Sequence, residues 1–230
     1  ARPALAAAGG LILLNGFYVV GPEEAGVLER FGRLVEPCCE PGLHYKLPWP
    51  IDKLTRLQAR RVRVIEVGFR SSTAAGVEPA AYEWNVQHRA GRFQRKPEES
   101  LMITGDQNMI EVNAAVHYRL ARPGDYLFRI QDGETTLRAA AESALQAVAN
   151  TSTLDQILTV ERREVERRVL EELGPRLDRY QAGVEVLAVK LLDVHPSQEA
   201  VDAFREVAGA FEEKNRMINE AEGYRGEQTA

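Results

Sequence analysis

The sequence predicts an α+β protein with an N-terminal transmembrane helix and a long C-terminal helix entering a coiled coil, and three observations carry that prediction. Residues 4–20 read ALAAAGGLILLNGFYVV, an apolar run that ends at Gly21-Pro22. In residues 54–70 and 109–120 apolar residues alternate at period two, the signature of strands, whereas from Thr135 they recur at three and four, the signature of helices. From Val201 the alternating steps of three and four run on to Arg225, the spacing of a coiled-coil seam.

Taken in order, the apolar run comes first. A helix crosses a bilayer core with roughly 20 apolar residues, about 17 to 25 in practice. The run sits at the short end of that range and the chain begins with Ala1 rather than Met, so residues 1–21 are expected to be a truncated membrane span. A cleaved signal peptide would need a small-residue cleavage site after its apolar centre. Phe17, Tyr18, Val19 and Val20 fit badly there. A buried soluble helix is disfavoured by Gly9, Gly10 and Gly16, each costing roughly 1 kcal/mol relative to Ala, while glycine is tolerated in membrane spans. Leu11, Ile12, Leu13 and Leu14 are therefore expected against lipid, with Phe17 and Tyr18 at the interfacial aromatic belt. Arg2 before the run and Glu23 and Glu24 after it favour a cytoplasmic N-terminus with the bulk of the chain outside.

Residues 25–35 read as one strand, and residues 36–50 as a proline-rich turn region with a short strand at 43–47. Cys38 and Cys39 are the only cysteines, and adjacency is too close for an ordinary disulfide. They read as two plain thiols in a turn. Leu47 and Trp49, the latter between Pro48 and Pro50, are candidates for the bilayer surface, because an indole favours the interface. A tryptophan packed in a turn of its own domain is the competing reading, and both stay open. Residues 54–70 have strand chemistry with a change of phase near Val64-Ile65 that suggests a bulge. Residues 71–99 show little periodicity and are assigned to an irregular excursion, with Tyr82, Trp84 and Phe93 as a small cover or partner contact.

Residues 101–104 and 109–120 flank the turn-prone Gly105-Asp106-Gln107-Asn108 and predict a hairpin. In its second arm Ile110, Val112, Ala114, Val116, Tyr118 and Leu120 share one face, with Glu111, Asn113, His117 and Arg119 on the other. A helix follows through Leu137 to Val148, then a short one over 153–158 capped by Thr153. A longer one over 160–173 is expected to break at Gly174-Pro175. Residues 184–194 predict a strand buried on both faces. In the last helix the seam is Val201, Phe204, Ala208, Phe211, Asn215, Ile218, Glu222 and Arg225. Val201, Phe204, Phe211 and Ile218 are its candidate oligomerisation residues. Up to Phe211 packing on its own domain competes, and beyond it partner helices are the better reading.

Composition narrows the function. The 230 residues carry a formal net charge of -5 and a pI near 5.6, which argues against a general nucleic-acid binder, since neutralising phosphates needs a basic surface. His44, His88, His117 and His195 are scattered without metal-ligand spacing, and the chain has neither a phosphate-binding glycine loop nor a GxSxG elbow. No catalytic, cofactor or metal site is predicted.

Five segments in order carry a family resemblance: YVVGPEEAGVLERFGRLVEPCCEPGLHYKLPWPIDKL, VIEVGFR, ESLMITGDQNMIEVNAAVHYRL, YLFRI and DVHPSQEAVDAFREVAGAFEEKNRMINEAEGY. Together they resemble the stomatin/prohibitin/flotillin/HflK (SPFH, band 7) family, and within it the HflK branch. The resemblance implies a single-pass protein of the bacterial inner membrane with its bulk on the periplasmic side. It divides the chain into an anchor (1–21), a first SPFH subdomain (22–105, with the excursion 71–99), a second (106–196) and the start of the helix (197–230). It further implies a non-enzymatic scaffold, a homo-oligomer or a hetero-oligomer with an HflC-like paralogue. Many copies would form a ring or cage around a membrane microdomain and modulate access to an FtsH-type protease. An adaptor of the same fold for another client such as a transporter, and a membrane-bound protease subunit, are the alternatives. The chain stops where family members continue their helix, so a longer protein is expected.

Overall fold

The computed structural model describes residues 16–71, 93–159, 161–197 and 200–229. The apolar residues 4–15, including Leu11, Ile12, Leu13 and Leu14, lie outside the described residues, as do Tyr82 and Trp84. Among the described residues no helix is long and apolar enough to cross a membrane.

The chain enters as a strand rather than as the end of a helix. β1 (Phe17–Val20) pairs antiparallel with β4 (Gly42–Tyr45), setting Phe17 opposite Tyr45 and Val20 opposite Gly42. Alternation decides its faces: Tyr18 and Val20 turn inward onto Leu28, Cys39 and Leu54, while Phe17 and Val19 are exposed. Two β-branched residues and two aromatics in a row suit this half-buried pleat.

The expected single strand over 25–35 is a hairpin. β2 (Ala25–Arg30) and β3 (Arg33–Cys39) are joined by Phe31 and Gly32, both at positive φ (48° and 77°). That is the two-residue turn whose twist matches antiparallel strands; phenylalanine in its first position hid it from a reading that looks for Asn-Gly. β3 therefore extends through the two cysteines, and Cys39 lies buried in a strand, not in a turn. β5 (Asp52–Leu57) completes the sheet in the order β3-β2-β5.

The second and larger core takes in Ala25 and Ala59 and gathers around β6 (Arg63–Val67) and the strands paired with it. Ile65, Val67 and, across Gly68, Phe69 of β7 (Phe69–Ser71) are buried, whereas Val62 and Val64 are about half exposed. There is no bulge at 64–65, because the inward face simply starts at Ile65. The irregularity sits at Gly68, whose φ of +86° lets the chain leave the sheet. β7 pairs with β8 (Phe93–Arg95), with Ser71 opposite Phe93. Lys96 N–H donates to Gly68 O at 2.9 Å, and a short helix α1 (Pro97–Ser100) leads into β9 (Leu101–Ile103). The excursion expected at 71–99 thus has a closed base: paired strands, and an Arg70–Glu99 ion pair at 2.5 Å.

β9 and β10 (Met109–Leu120) form the expected hairpin, with Met109 opposite Ile103. One edge of β10 is shared end to end by β6 and β9, and the other is taken by β11 (Val184–Pro196). β6, β9, β10 and β11 thus form one sheet that runs across residue 105. The even-numbered face of β10 is buried from Ile110 to Leu120, as the alternation predicted.

Four helices lie between β10 and β11 in sequence. α2 (Pro123–Phe128), which the sequence reading missed, turns the chain against β2 and β3, so this end of the larger sheet abuts the smaller unit. α3 (Gly133–Ala149) starts at Asp132, whose carboxylate accepts Thr135 N–H, and buries Leu137, Ala141, Ala144, Leu145 and Val148. α4 (Leu154–Leu158) begins with a capping box between Thr153 and Gln156. α5 (Arg162–Arg179) buries Val165, Val169, Leu173 and Leu177 at intervals of four and runs straight through Pro175. Proline there forgoes one backbone hydrogen bond, yet Leu177 still reaches the core beyond it, so burial of the apolar stripe outweighs the break.

β11 is an edge strand and is not buried on both faces: Leu187 and Leu192 are exposed. Its open edge is closed by side chains of α5, with Leu191 N–H donating to Glu166 at 2.9 Å and Arg162 donating to Leu191 O. At the far end of the sheet Ser197 N–H donates to Met109 O, and α6 (Val201–Thr229) departs.

Candidate functional site

Two features stand out from the folded body: one aromatic end and one exposed helix. The aromatic end is built by Asp52, which is 1 % exposed at the start of β5. Arg30, opposite it in the β2–β5 register, donates through Nε at 2.8 Å and a terminal guanidinium nitrogen at 3.0 Å, and Leu47 N–H donates at 2.9 Å. The Arg30 hydrogen bonds hold the Asp52 carboxyl below the usual carboxylate range, against the opposing effect of its burial, and they raise the Arg30 guanidinium in turn. The pair is thus ionised at any physiological pH and acts as a fixed bracket.

What the bracket holds is hydrophobic. Ile51 N–H donates to Pro48 O, and Phe31 N–H donates to Ile51 O at 3.0 Å, which ties the β2–β3 turn to the Pro48-Trp49-Pro50 loop. Trp49 is 81 % exposed and Phe31 74 %, two aromatics on adjoining loops that nothing among the described residues covers. Lys46 N–H donates to Gly16 O at 2.9 Å, so the chain emerges from residues 4–15 beside this same loop. On the outer face of β1 and β4, Phe17, Val19, Leu43 and Tyr45 are also exposed, with the Phe17 and Tyr45 rings edge to face at 5.2 Å.

The expected lipid contacts therefore separate. Trp49 is not packed into a turn of its own domain. Phe17 stays on the surface, and Leu47 is half-buried above Asp52. Tyr18 does not stay there: it is buried, its hydroxyl is 3.3 Å from Cys39 Sγ and its ring stacks on His44. A strand alternates its side chains, so neighbours 17 and 18 cannot both face outward as an interfacial belt would need. Phe31 is the residue that sequence reasoning missed, and only recognising the turn would have exposed it.

The second feature is α6. Every described side chain from 203 to 225 is exposed, including Phe211 (61 %) and Ile218 (45 %), while Val201 at its root is half-buried. The side chain of Phe204 lies outside the described residues. The reading in which this helix packs on its own domain does not hold for Phe211. Among the described residues no cluster of His, Cys, Asp and Glu is arranged to hold a metal ion.

The comparisons with known proteins agree with this architecture. Residues 18–225 match the family described as SPFH domain / Band 7 family. The Vibrio cholerae protein named Protein HflK is 31% identical over 213 residues, covering 93% of this chain and 46% of the relative. The Treponema pallidum Protein HflK is 32% identical over 204 residues, 88% of this chain and 58% of the relative. The Escherichia coli K12 protein named Modulator of FtsH protease HflK is 30% identical over 213 residues, 93% and 43% respectively. This chain spans about half the length of the curated relatives it matches. With a family match running from β1 into α6, and two small antiparallel units followed by a long exposed helix, the chain belongs to the SPFH domain / Band 7 family and is similar to its HflK members.

Proposed function

We propose that this chain is the membrane-proximal part of an HflK-like scaffold. In this reading residues 4–15 anchor it in a bacterial inner membrane, and the folded body lies on the periplasmic side. Neighbouring copies, or alternating copies of an HflC-like paralogue, assemble through α6 into a ring or cage. The enclosed membrane protein is an FtsH-type protease, and the scaffold modulates what reaches it by restricting lateral access rather than by a chemical step.

The observation that carries the reading is the Lys46–Gly16 hydrogen bond. It brings the exit of the apolar run to the same end as Trp49 and Phe31, so one face of the body offers an anchor and two interfacial aromatics together. From that end the chain runs through β5 into the larger sheet, whose far end releases α6. In this reading bilayer contact and lateral contact fall at opposite ends of the body. Ring closure makes modest contacts sufficient, because the final contacts are intramolecular.

Imaging the full-length protein extracted with its native lipid tests the scaffold. Closed rings or cages that co-purify with an FtsH-type protease are expected. A monodisperse monomer in native membranes would sink the proposal, and closed assemblies with a different membrane protein inside would reassign the client.

A further inference from the structure

The aromatic end of the body is basic, in a chain whose formal net charge is -5. Residues 30–35 and 41–52, which hold the β2–β3 turn, β4 and the Pro48-Trp49-Pro50 loop, contain three Lys or Arg residues, Arg30, Arg33 and Lys46, against one acid, Asp52. Arg30 and Asp52 neutralise each other in the bracket. The surplus is Arg33, at the start of β3 directly after Phe31-Gly32, and Lys46, in the loop that leads to Trp49. Neither has an ion-pair partner among the described residues. The Asp52 carboxyl is lowered first by the Arg30 hydrogen bond and, among smaller causes, by the charge of Lys46, which places that ammonium beside the bracket. Glu29, on β2 next to Arg30, is 13 % exposed and already engaged by Lys53 at 3.6 Å and by the Thr55 hydroxyl at 3.3 Å. Along β3 the next charge, Glu36, stands opposite Leu28, back from the turn. Glu23, Glu24 and Glu40 lie beyond the other ends of β1 and β4, a strand length of roughly 10 Å away.

From this arrangement we infer that the aromatic end selects anionic phospholipid, Arg33 and Lys46 taking the headgroup phosphates while Trp49 and Phe31 enter the interface. This rests on the bilayer contact proposed above and names the lipid that the contact prefers. Aromatic rings alone do not discriminate, since an indole settles at any bilayer interface. Charge does. A net charge of -5 spread over the chain would repel an anionic surface, yet at physiological salt charges more than about 8 Å away are largely screened. The groups at the contact therefore decide, and these are the two surplus cations. Each Lys or Arg near an anionic surface strengthens attachment about fivefold, so the pair supplies roughly 30-fold. Asp52 is already satisfied by Arg30 and by Leu47 N–H, which leaves the Lys46 ammonium to an outside anion. Lys46 is also the residue whose N–H holds Gly16 O, so its charge stands close to where residues 4–15 meet the body.

Lipid-specific quenching tests this. The chain carrying Trp84→Phe is reconstituted into vesicles of equal parts phosphatidylcholine and phosphatidylglycerol, with Trp49 as the reporter and bromine near the headgroup of one lipid or the other. Brominated phosphatidylglycerol should quench Trp49 more than brominated phosphatidylcholine does. The excess should vanish in Arg33→Gln/Lys46→Gln, and also at about 1 M salt, where the screening length is about 3 Å. Arg60→Gln/Arg61→Gln removes the same net charge from exposed positions, residue 60 being hydrogen-bonded to Glu23 O beyond the other end of β1, and should keep the excess. Melting temperatures check that both variants fold, and the parent comparison with its salt dependence needs no basic-residue substitution. Equal quenching by the two lipids, or an excess that Arg60→Gln/Arg61→Gln also removes, would overturn the headgroup selection while leaving the bilayer contact standing. An excess abolished by inorganic phosphate at constant ionic strength would overturn it as well, by making the site one for free phosphate. No quenching by either lipid would overturn both readings.

Discussion

Replacing Asp52 with asparagine keeps the shape of the bracket and removes its charge. The structure gives three hydrogen bonds to lose or weaken: two from Arg30 at 2.8 and 3.0 Å and one from Leu47 N–H at 2.9 Å. The asparagine oxygen still serves Leu47, but its amide nitrogen would face the guanidinium. A hydrogen bond to a charged group contributes about 1.5–3 kcal/mol when buried. The Arg30 side chain is 43 % exposed and so partly rescued by water, which brings the expected loss to about 2 kcal/mol. For a body of this size that lowers the melting temperature by roughly 4–8 °C. Hydrogen exchange supplies the site-specific readout: the Leu47, Ile51 and Phe31 amides should exchange faster, because all three hang from this bracket. Acid should mimic the substitution. A depressed folded-state value means that the contribution is complete above the unfolded carboxylate value of about 3.9 and is lost as pH falls through the lower folded value. Unchanged melting together with unchanged exchange at those three amides would refute the bracket.

Three further outcomes are expected. With Trp84→Phe, Trp49 is the only tryptophan of these 230 residues, and in this chain reconstituted with lipid vesicles its fluorescence should be quenched by lipids brominated near the headgroup. Quenching by aqueous iodide alone would remove the loop from the bilayer surface. Trp49→Ala should leave the melting temperature within the change expected of about 0.5 kcal/mol, since an 81 % exposed side chain contributes little packing. Leu173→Ala, at a 1 % exposed position between α5 and the sheet, should cost about 3 kcal/mol in urea unfolding, and a loss below 1 kcal/mol would mean the core is not closed there. Gly68→Ala should cost about 2 kcal/mol, because its φ is +86° and a Cβ would stand 2.6 Å from Asn113 Oδ1 and 2.7 Å from Val112 O; a neutral result would contradict the close approach of the β6–β7 link to β10.

Legibility in the sequence followed the range of the interactions. The β9–β10 hairpin, the buried even face of β10 and the Thr153 cap were readable because period and turn chemistry are set by residues within a few positions of one another. Pro175 misled because its cost is local, while the burial of Leu177 that outweighs it is tertiary. The Val and Leu density of residues 184–194 suggested burial on both faces. Density records affinity for an apolar environment but says nothing of whether a second neighbour exists, and among the described residues β11 pairs with β10 alone and meets side chains of α5 on its outer edge. For the candidate site the division is sharper. Trp49 and the seam of α6 could be named from sequence, yet Tyr18 could not be separated from Phe17 until pairing with β4 fixed which of them faces in.

The sequence by itself determined the family, the α+β class, the absence of any catalytic motif and the two kinds of surface to look for, since each is written in composition, local period or an ordered string of motifs. Tertiary structure decided which residues form those surfaces. Phe31 joins Trp49 only because the Arg30–Asp52 pair and the Phe31–Ile51 hydrogen bond draw two loops together across some twenty residues of chain. Phe211 and Ile218 offer a contact surface only because, among the described residues, the body leaves them uncovered. In both cases exposure is a property of the whole fold, and a string of residues does not carry it.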